Sequence, residues 1–204
     1  MAEVKDGING KVKGRVGNAV FYTMNGKNIV RSLPQINKHK KPTLNQERQR
    51  QRMSLAQELL KPLKDLIKLT FASLAENSAP YHVAKSYNMR HAIIGEFPNQ
   101  EIDWTKVYLS AGSVEKPSEC IVQKRDGGLH FNWSKGEGKH NDTLVVMAYN
   151  PESNRLEYRF TGISRQREDY FWDVALQDMP MHVWVAFRRQ DETDISDSLY
   201  LGVI

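Results

Sequence analysis

Residues 129–133 read Leu-His-Phe-Asn-Trp, so large apolar side chains alternate there with polar ones. The same period of two recurs over residues 170–176, Tyr-Phe-Trp-Asp-Val-Ala-Leu, where the even-numbered positions form the apolar set. This spacing places alternate side chains on opposite faces of a β-strand, so each segment is predicted to be a strand. Further strand-like runs are divided by Gly, Pro, Asn and Asp, and together the runs cover residues 106–110, 119–123, 129–133, 144–149, 156–160, 170–176, 182–187 and 199–201. We therefore predict an antiparallel β-sandwich of about seven strands.

Nearer the N-terminus, the pair Asn25-Gly26 separates two β-rich runs, 19–24 and 27–33. Asn and Gly tolerate the positive φ of a type I′ turn, so this pattern predicts a β-hairpin. An isolated hairpin is marginal in water and needs a further partner, either the rest of the chain or another subunit. The residues predicted to form this strand-pairing arm are Val20, Phe21, Tyr22, Ile29 and Val30.

Helical patterns fill the region between the hairpin and residue 95. Residues 43–46, Thr-Leu-Asn-Gln, match a capping box that starts a helix. An apolar stripe at steps of three and four continues through residues 53–67, as expected of an amphipathic helix. Pro62 interrupts the stripe, so we expect a kink or a break into two helices there. A further helix is predicted to begin near Pro80 and to stop at Gly95.

The fold class predicted from these patterns is α+β, with two domains. The first, residues 1–98, holds the Gly-rich β-hairpin and a basic helical region, and the second, residues 99–204, holds the sandwich. Charge divides in the same way, because residues 1–98 carry 17 Lys/Arg and 7 Asp/Glu, and residues 99–204 carry 12 and 17. Balances of +10 and −5 predict either different partners for the two modules or a mutual attraction between them.

The second half resembles a fibronectin type III or related immunoglobulin-like domain. The resemblance rests on Trp133 at the end of an early strand, on the apolar strand 144–149, on the Leu176-x-x-x-Pro180 corner and on the strand 183–187. It implies that Trp133 is the core tryptophan of the sandwich. The corner tyrosine of such domains is replaced here by Met181-His182, which is a departure from their usual topology.

The whole chain is similar to an uncharacterised family of Bacteroidetes proteins. The motifs that carry the likeness are Gly14-x-Val16-Gly17-Asn18, Gly26-Lys27-x-Ile29-Val30-Arg31, Lys41-Pro42-Thr43, Ser86-Tyr87-Asn88 and Ser196-Asp197-Ser198. The likeness implies a bacterial or bacteriophage origin, and it implies no activity or site.

No pattern of catalytic, cofactor or metal-binding residues is found. The six histidines include no i, i+4 pair and the one cysteine, Cys120, has no partner for a zinc site. The glycines at 7, 10, 14 and 17 match neither a dinucleotide fingerprint nor a phosphate loop. We therefore predict a non-enzymatic protein without cofactor or metal, and no small-molecule substrate is evident.

A basic segment extends from the linker into the first helix. Three interpretations stay open for it: contact with an acidic protein surface, non-specific binding of nucleic acid through phosphates, or plain solvation. The residues proposed for either kind of contact are Lys38, Lys40, Lys41, Arg48, Arg50 and Arg52.

The expected partner is a protein or a second copy of the chain, within a bacterial complex or a phage particle. No apolar run approaches the ~20 residues that span a bilayer, and residues 1–7 do not resemble a secretion signal. A cytoplasmic location, with incorporation into a virion as a variant, is therefore predicted.

Overall fold

The computed structural model describes residues 2–3, 12–35, 41–76, 78–174 and 179–204. The chain divides into two compact units, Met1–Pro42 and Thr43–Ile204. The boundary drawn from composition, between residues 98 and 99, falls inside the second unit.

The described residues form thirteen strands and three α-helices. The N-terminal unit contains β1 (Ala2–Glu3), β2 (Gly14–Val16), β3 (Ala19–Met24) and β4 (Lys27–Ser32). The helices are α1 (Leu44–Leu60), α2 (Lys64–Thr70) and α3 (Pro80–His91), followed by the short strands β5 (Ile93–Ile94) and β6 (Glu101–Ile102). The remaining strands are β7 (Ser118–Arg125), β8 (Gly128–Ser134), β9 (Thr143–Asn150), β10 (Arg155–Ser164), β11 (Asp169–Asp173), β12 (His182–Arg188) and β13 (Leu199–Val203).

The N-terminal unit is a four-stranded antiparallel sheet of order β1-β4-β3-β2. The predicted hairpin at its centre is confirmed, with Met24 opposite Lys27. Asn25 and Gly26 have φ values of 50° and 77°, as a type I′ turn requires. No residue in the range 12–35 is buried, so this described part of the unit has no core of its own.

Two antiparallel sheets form the predicted sandwich in the second unit, which confirms the α+β class. One has the order β10-β9-β12-β13 and the other the order β11-β8-β7. Of the seven strands in chain order, the first, second and fifth make the smaller sheet. The fourth pairs with the third, whereas a constant-type immunoglobulin domain places its fourth strand in the other sheet.

The core between the two sheets uses the alternation read from the sequence. Phe131 and Trp133 of β8 are buried there with Trp172 of β11, as the period of two predicts. Trp133 packs its ring edge against Phe187 of β12, with centroids 6.0 Å apart. Position 176 of the predicted corner lies outside the described residues.

A second core lies on the other face of the larger sheet, beneath the helices. Met147 of β9 and Trp184 of β12 are buried there with Leu60 of α1 and with Leu63 and Phe71 on either side of α2. The second unit therefore has three layers: helices, a four-stranded sheet and a three-stranded sheet. Because both faces of β9 are covered, residues 144–150 are all buried.

Local signals placed the starts of the helices well, but the stop predicted at Gly95 is wrong, because α3 ends at His91 and Ile93–Ile94 pairs as β5 with β6. Thr43 and Gln46 form the predicted capping box, since the Thr43 side chain accepts from the Gln46 N–H and the Gln46 side chain accepts from Thr43 N–H. The helix breaks beside Pro62, as predicted, and α2 starts at Lys64. The strand predicted at residues 106–110 is wrong, because a 3-10 turn ends there and residues 107–110 join no strand.

Candidate protein interface

The strand register assigns the described residues of the N-terminal sheet to two faces. Cross-strand partners share a face and successive residues alternate, so Phe21 and Val30 lie on one face and Tyr22 and Ile29 on the other. The first, here called the uncharged face, consists of Ala2, Gly14, Val16, Ala19, Phe21, Thr23, Asn28, Val30 and Ser32. The second, here called the basic face, consists of Glu3, Arg15, Val20, Tyr22, Met24, Lys27, Ile29 and Arg31.

Both faces leave apolar side chains in contact with water. Val16 on the uncharged face is 67% exposed, and Met24 on the basic face is 49% exposed. The cations of the basic face are held near the sheet, because Arg31 lies over the ring of Tyr22 at 5.7 Å and Arg15 Nε donates to the Gly17 carbonyl at 3.1 Å. By register this face combines apolar residues with three cations and one acid, Glu3.

The hairpin predicted as a strand-pairing arm, with a partner in the chain or in another subunit, has strand partners within its own unit. Val20 and Phe21 already pair with β2 on their outer side, and Ile29 and Val30 pair in register with Glu3 and Ala2 of β1. Tyr22 pairs with Ile29. The edges of the hairpin are therefore occupied over these residues within its own sheet, and its faces are what remain for a partner.

Charge is concentrated in this unit. Residues 1–42 carry nine Lys/Arg and two Asp/Glu, a balance of +7, whereas residues 43–204 carry 20 and 22, a balance of −2. A compact unit with this excess attracts acidic surfaces and polyanions alike.

The structure separates the residues of the predicted basic segment. Lys38 and Lys40 lie outside the described residues, and Lys41, Arg48 and Arg50 are exposed. Arg48 and Arg50 project from opposite sides of α1, because two residues correspond to about 200° of helical rotation.

Arg52 has a structural role that sequence reasoning missed. Its guanidinium donates to the Met89 carbonyl near the end of α3 and, at 3.4 Å, to the Ile93 carbonyl just beyond it. An arginine at this position satisfies carbonyl groups that the helix leaves without partners. The Arg52 side chain is half-buried, whereas the side chains of Arg48 and Arg50 are exposed.

The outer face of the three-stranded sheet is a second exposed surface. Ile121 of β7 is 60% exposed and Phe171 of β11 is 43% exposed. Phe171 is flanked along its strand by Asp169 and Asp173 on the same face, since residues two apart share a face. The signal for this surface was present in the sequence, because Phe171 interrupts the alternation as a large apolar side chain on the polar parity.

A family model matches residues 10–202, and its description is a family of unknown function (DUF6266). The chain belongs to the DUF6266 family. Comparisons with curated proteins and with solved structures gave no match. No helix among the described residues is long and apolar enough to cross a membrane.

An open basin of about 760 Å³ lies in the second unit of this DUF6266 chain. Its residues are Lys139, His140, Asn141, Asp142, Gln166, Arg189, Gln190 and Asp191, and this lining contains no Ser, Thr or Cys nucleophile. Burial raises the pKa of the Asp142 carboxyl, against the opposing effect of the Arg165 guanidinium, whose Nη2 lies 3.8 Å from Asp142 Oδ2. Arg165 is itself fully buried and stacks over Phe187 at 3.7 Å, so the pair is part of the packing at this end of the sandwich.

The surroundings of the Cys120 thiol are those of a structural residue. Burial raises the pKa of the Cys120 thiol to about 12, so it is protonated at neutral pH. Among the described residues, no group of three or more His, Cys, Asp or Glu side chains is placed to hold a metal ion.

Proposed function

We propose that this chain is a non-enzymatic assembly component that binds protein through the faces of its N-terminal sheet. The observation that carries the proposal is that residues 12–35 contain no buried residue, although large apolar side chains lie on both faces of the sheet. A sheet is stable in water when at least one face packs against another layer. Binding to a partner supplies that layer.

The charge of the unit indicates what the partner surface is like. Its described strands offer apolar side chains beside Arg15, Lys27 and Arg31, and their one acid is Glu3 of β1. The complementary surface is apolar at its centre and acidic at its rim, which is the usual plan of a protein interface. The setting we propose is a bacterial multi-subunit complex or a phage particle, and the chain is proposed to be a Bacteroidetes protein made in the cytoplasm.

Light scattering after size exclusion tests this proposal on the full chain and on a chain of residues 43–204. The full chain should associate with itself or carry a partner through purification, and removal of the N-terminal unit should abolish that association. The proposal would be contradicted if the full chain carries no partner and stays strictly monomeric up to ~1 mM. That concentration is the Kd of a contact worth only about 4 kcal/mol.

The alternative function is non-specific nucleic-acid binding through the basic segment. It is supported by the exposure of Lys41, Arg48 and Arg50. A mobility-shift assay at low salt, with these three residues replaced by Ala, tests it. The matched control replaces Lys116, Arg125 and Arg159, which are also exposed. Loss of binding in the first variant alone, with a salt slope reduced by about one for each lost phosphate contact, would favour this alternative.

A further inference from the structure

The larger sheet of the second unit ends in a long strand with an open outer edge. β10 is the terminal strand of the order β10-β9-β12-β13, and β9 is its one partner among the described residues. The register with β9 runs without interruption from Arg155 to Phe160 and is broken before Ser164. This regular stretch contains no Pro, Lys or bulge, which are devices that protect an edge from pairing. Its outward N–H and C=O groups are therefore open to a further strand.

Alternate side chains of this edge form an apolar set and a charged set. Leu156, Tyr158 and Phe160 share the face that the helices cover, because their partners on β9 belong to the core beneath the helices. Leu156 and Phe160 are half-buried and Tyr158 is 37% exposed, so apolar surface reaches the edge. Glu157 and Arg159 lie on the opposite face of the strand. A strand that pairs here has to match both sets.

The stretch 156–160 is complementary to itself about Tyr158, since it reads apolar, acid, tyrosine, base, apolar. If two copies pair antiparallel with Tyr158 opposite Tyr158, Glu157 of each copy faces Arg159 of the other. Leu156 faces Phe160 in the same register. A slip of two residues sets Glu157 opposite Glu157 or Arg159 opposite Arg159. A slip of one residue turns the second copy over and brings charged side chains against apolar ones. One register therefore satisfies both charge and face.

The charges that select this register are free to form it. Arg159 is exposed and makes no ion pair with a described residue. Glu157 accepts from Arg155 Nε through Oε1 at 3.0 Å, and its side chain is 37% exposed. A carboxylate has two oxygens and about four lone-pair sites, so Glu157 can bind Arg155 of its own copy and Arg159 of another. Charges on an edge strand oppose pairing with most strands, and they favour the strand that brings opposite charges into register.

We propose that the β10 edges of two copies pair antiparallel about Tyr158 and join their four-stranded sheets into one sheet of eight strands. Both copies use the same surface, so the contact is a closed two-fold one. Five residues from each copy cover about 16 Å of edge, and a contact this short is smaller than the roughly 1,200 Å² of a stable interface. It therefore holds copies that another contact has already brought close together. The inference rests on the proposed function, because the N-terminal unit makes that first contact.

Disulfide trapping in the full chain tests the position of the two-fold axis. Residues opposite each other on antiparallel strands have Cα atoms about 4.5–5.5 Å apart, which suits a disulfide. The C120A/Y158C variant should therefore form a covalent dimer in oxidised glutathione. C120A/Q123C is the matched control, because Gln123 is exposed on β7, outside this contact. Each rate is divided by the rate of alkylation by iodoacetamide, and the first variant should then dimerise at least about tenfold faster.

A charge cycle in the C120A/Y158C chain tests the register. E157K and R159E should each slow dimer formation by about tenfold, because like charges then face each other on both sides of the axis. E157K and R159E together should restore the rate to within about threefold, since opposite charges meet again. E137K reverses an exposed charge outside β10 and should leave the rate unchanged.

The outcomes separate this inference from the proposed function. If the full chain associates in light scattering, but Y158C dimerises no faster than Q123C or the double charge reversal restores nothing, the inference is wrong and the proposed function stands. If the chain neither associates nor forms the dimer, both fail. A tenfold faster Y158C dimer in a chain that associates equally well without its N-terminal unit would support the edge contact and contradict the proposed function. Circular dichroism melts of every variant establish that the fold is retained.

Discussion

The Asn88→Ala variant tests whether the helices and the sandwich of the second unit unfold together as one cooperative core. Asn88 is fully buried on α3. Its Nδ2 donates to the Tyr108 carbonyl at 2.9 Å and its Oδ1 accepts from the Tyr108 N–H at 2.9 Å. The amide thus gives the backbone of residue 108 the pair of bonds that a neighbouring strand would otherwise supply. Val107 and Leu109, on either side, are buried in the core beneath the helices.

The expected loss follows from the groups left without partners. In the Asn88→Ala variant the Tyr108 N–H and C=O each lose their bond, and an unsatisfied buried group costs about 1–3 kcal/mol. Tyr108 is half-buried, so water relieves part of this cost. We expect the free energy of unfolding to fall by about 2–4 kcal/mol, a large part of the 5–15 kcal/mol typical of a domain.

Urea unfolding followed by tryptophan fluorescence and by circular dichroism provides the measurement. With an m value of about 2 kcal/mol/M, the midpoint should fall by about 1–2 M in both signals together. Asn132→Ala, at an exposed position of β8, is the control and should change stability by less than about 0.5 kcal/mol. A loss below that value in Asn88→Ala, or a helical signal that disappears before the fluorescence changes, would refute a shared cooperative core.

Four further predictions can be checked with short experiments. Residues 99–204 expressed alone should fail to fold, whereas residues 43–204 should give a cooperative melt, because the helices cover one face of the larger sheet. Arg52→Ala should cost about 1–2 kcal/mol in urea unfolding because it leaves helix-end carbonyls unpaired, whereas Arg48→Ala should cost less than about 0.5 kcal/mol; equal costs would contradict the assigned role of Arg52. Gly128→Ala should lower the melting temperature sharply, since its Cβ would lie 2.0 Å from the Trp172 carbonyl oxygen, and an unchanged melt would show that β8 and β11 are farther apart. Cys120 should react with iodoacetamide near pH 8 about a thousandfold more slowly in the native chain than in urea, because burial raises its pKa from 9.0 to about 12; its contribution to stability is complete below pH 9 and lost as the pH rises toward 12.

Local patterns in the sequence predicted those elements whose cause is local. The Asn25-Gly26 turn, the capping box at Thr43 and the break at Pro62 each depend on a few adjacent residues, and the structure has all three. The alternation around Phe131 likewise fixed the strand and its buried face, because a period of two determines both at once.

The covering of the larger sheet by helices was missed, although a signal for it was available. Residues 144–149 and 183–187 are continuous apolar runs rather than alternating ones. A short continuous run is expected of a strand buried on both faces, and it therefore calls for a third layer. The amphipathic helix ending at Leu60 was the element available to supply that layer. Reading the two observations together would have placed the helices against the sheet.

The role of Arg52 and the edge strands of the N-terminal sheet could not be read in this way. The bond from Arg52 to Met89 joins residues 37 apart in the chain, and no local pattern records such a contact. The pairing of β1 with β4 also joins residues far apart in the chain, Ala2 and Val30, and it consists of only two residue pairs. Contacts of this kind depend on how distant elements meet in space. A short stretch of a single sequence contains no pattern that predicts them.

The sheet faces that remain uncovered are where we propose that this chain binds a partner. Within the described residues, helices cover the outer face of the larger sheet and the sandwich core covers its inner face. The smaller sheet has one covered face and leaves Ile121 and Phe171 in contact with water, and residues 12–35 of the N-terminal sheet contain no buried side chain on either face. Apolar sheet faces gain free energy by packing on one another at roughly 25 cal/mol per Å² of apolar surface removed from water. We therefore expect a protein partner to bind at these uncovered faces, where the apolar surface left to remove from water is found.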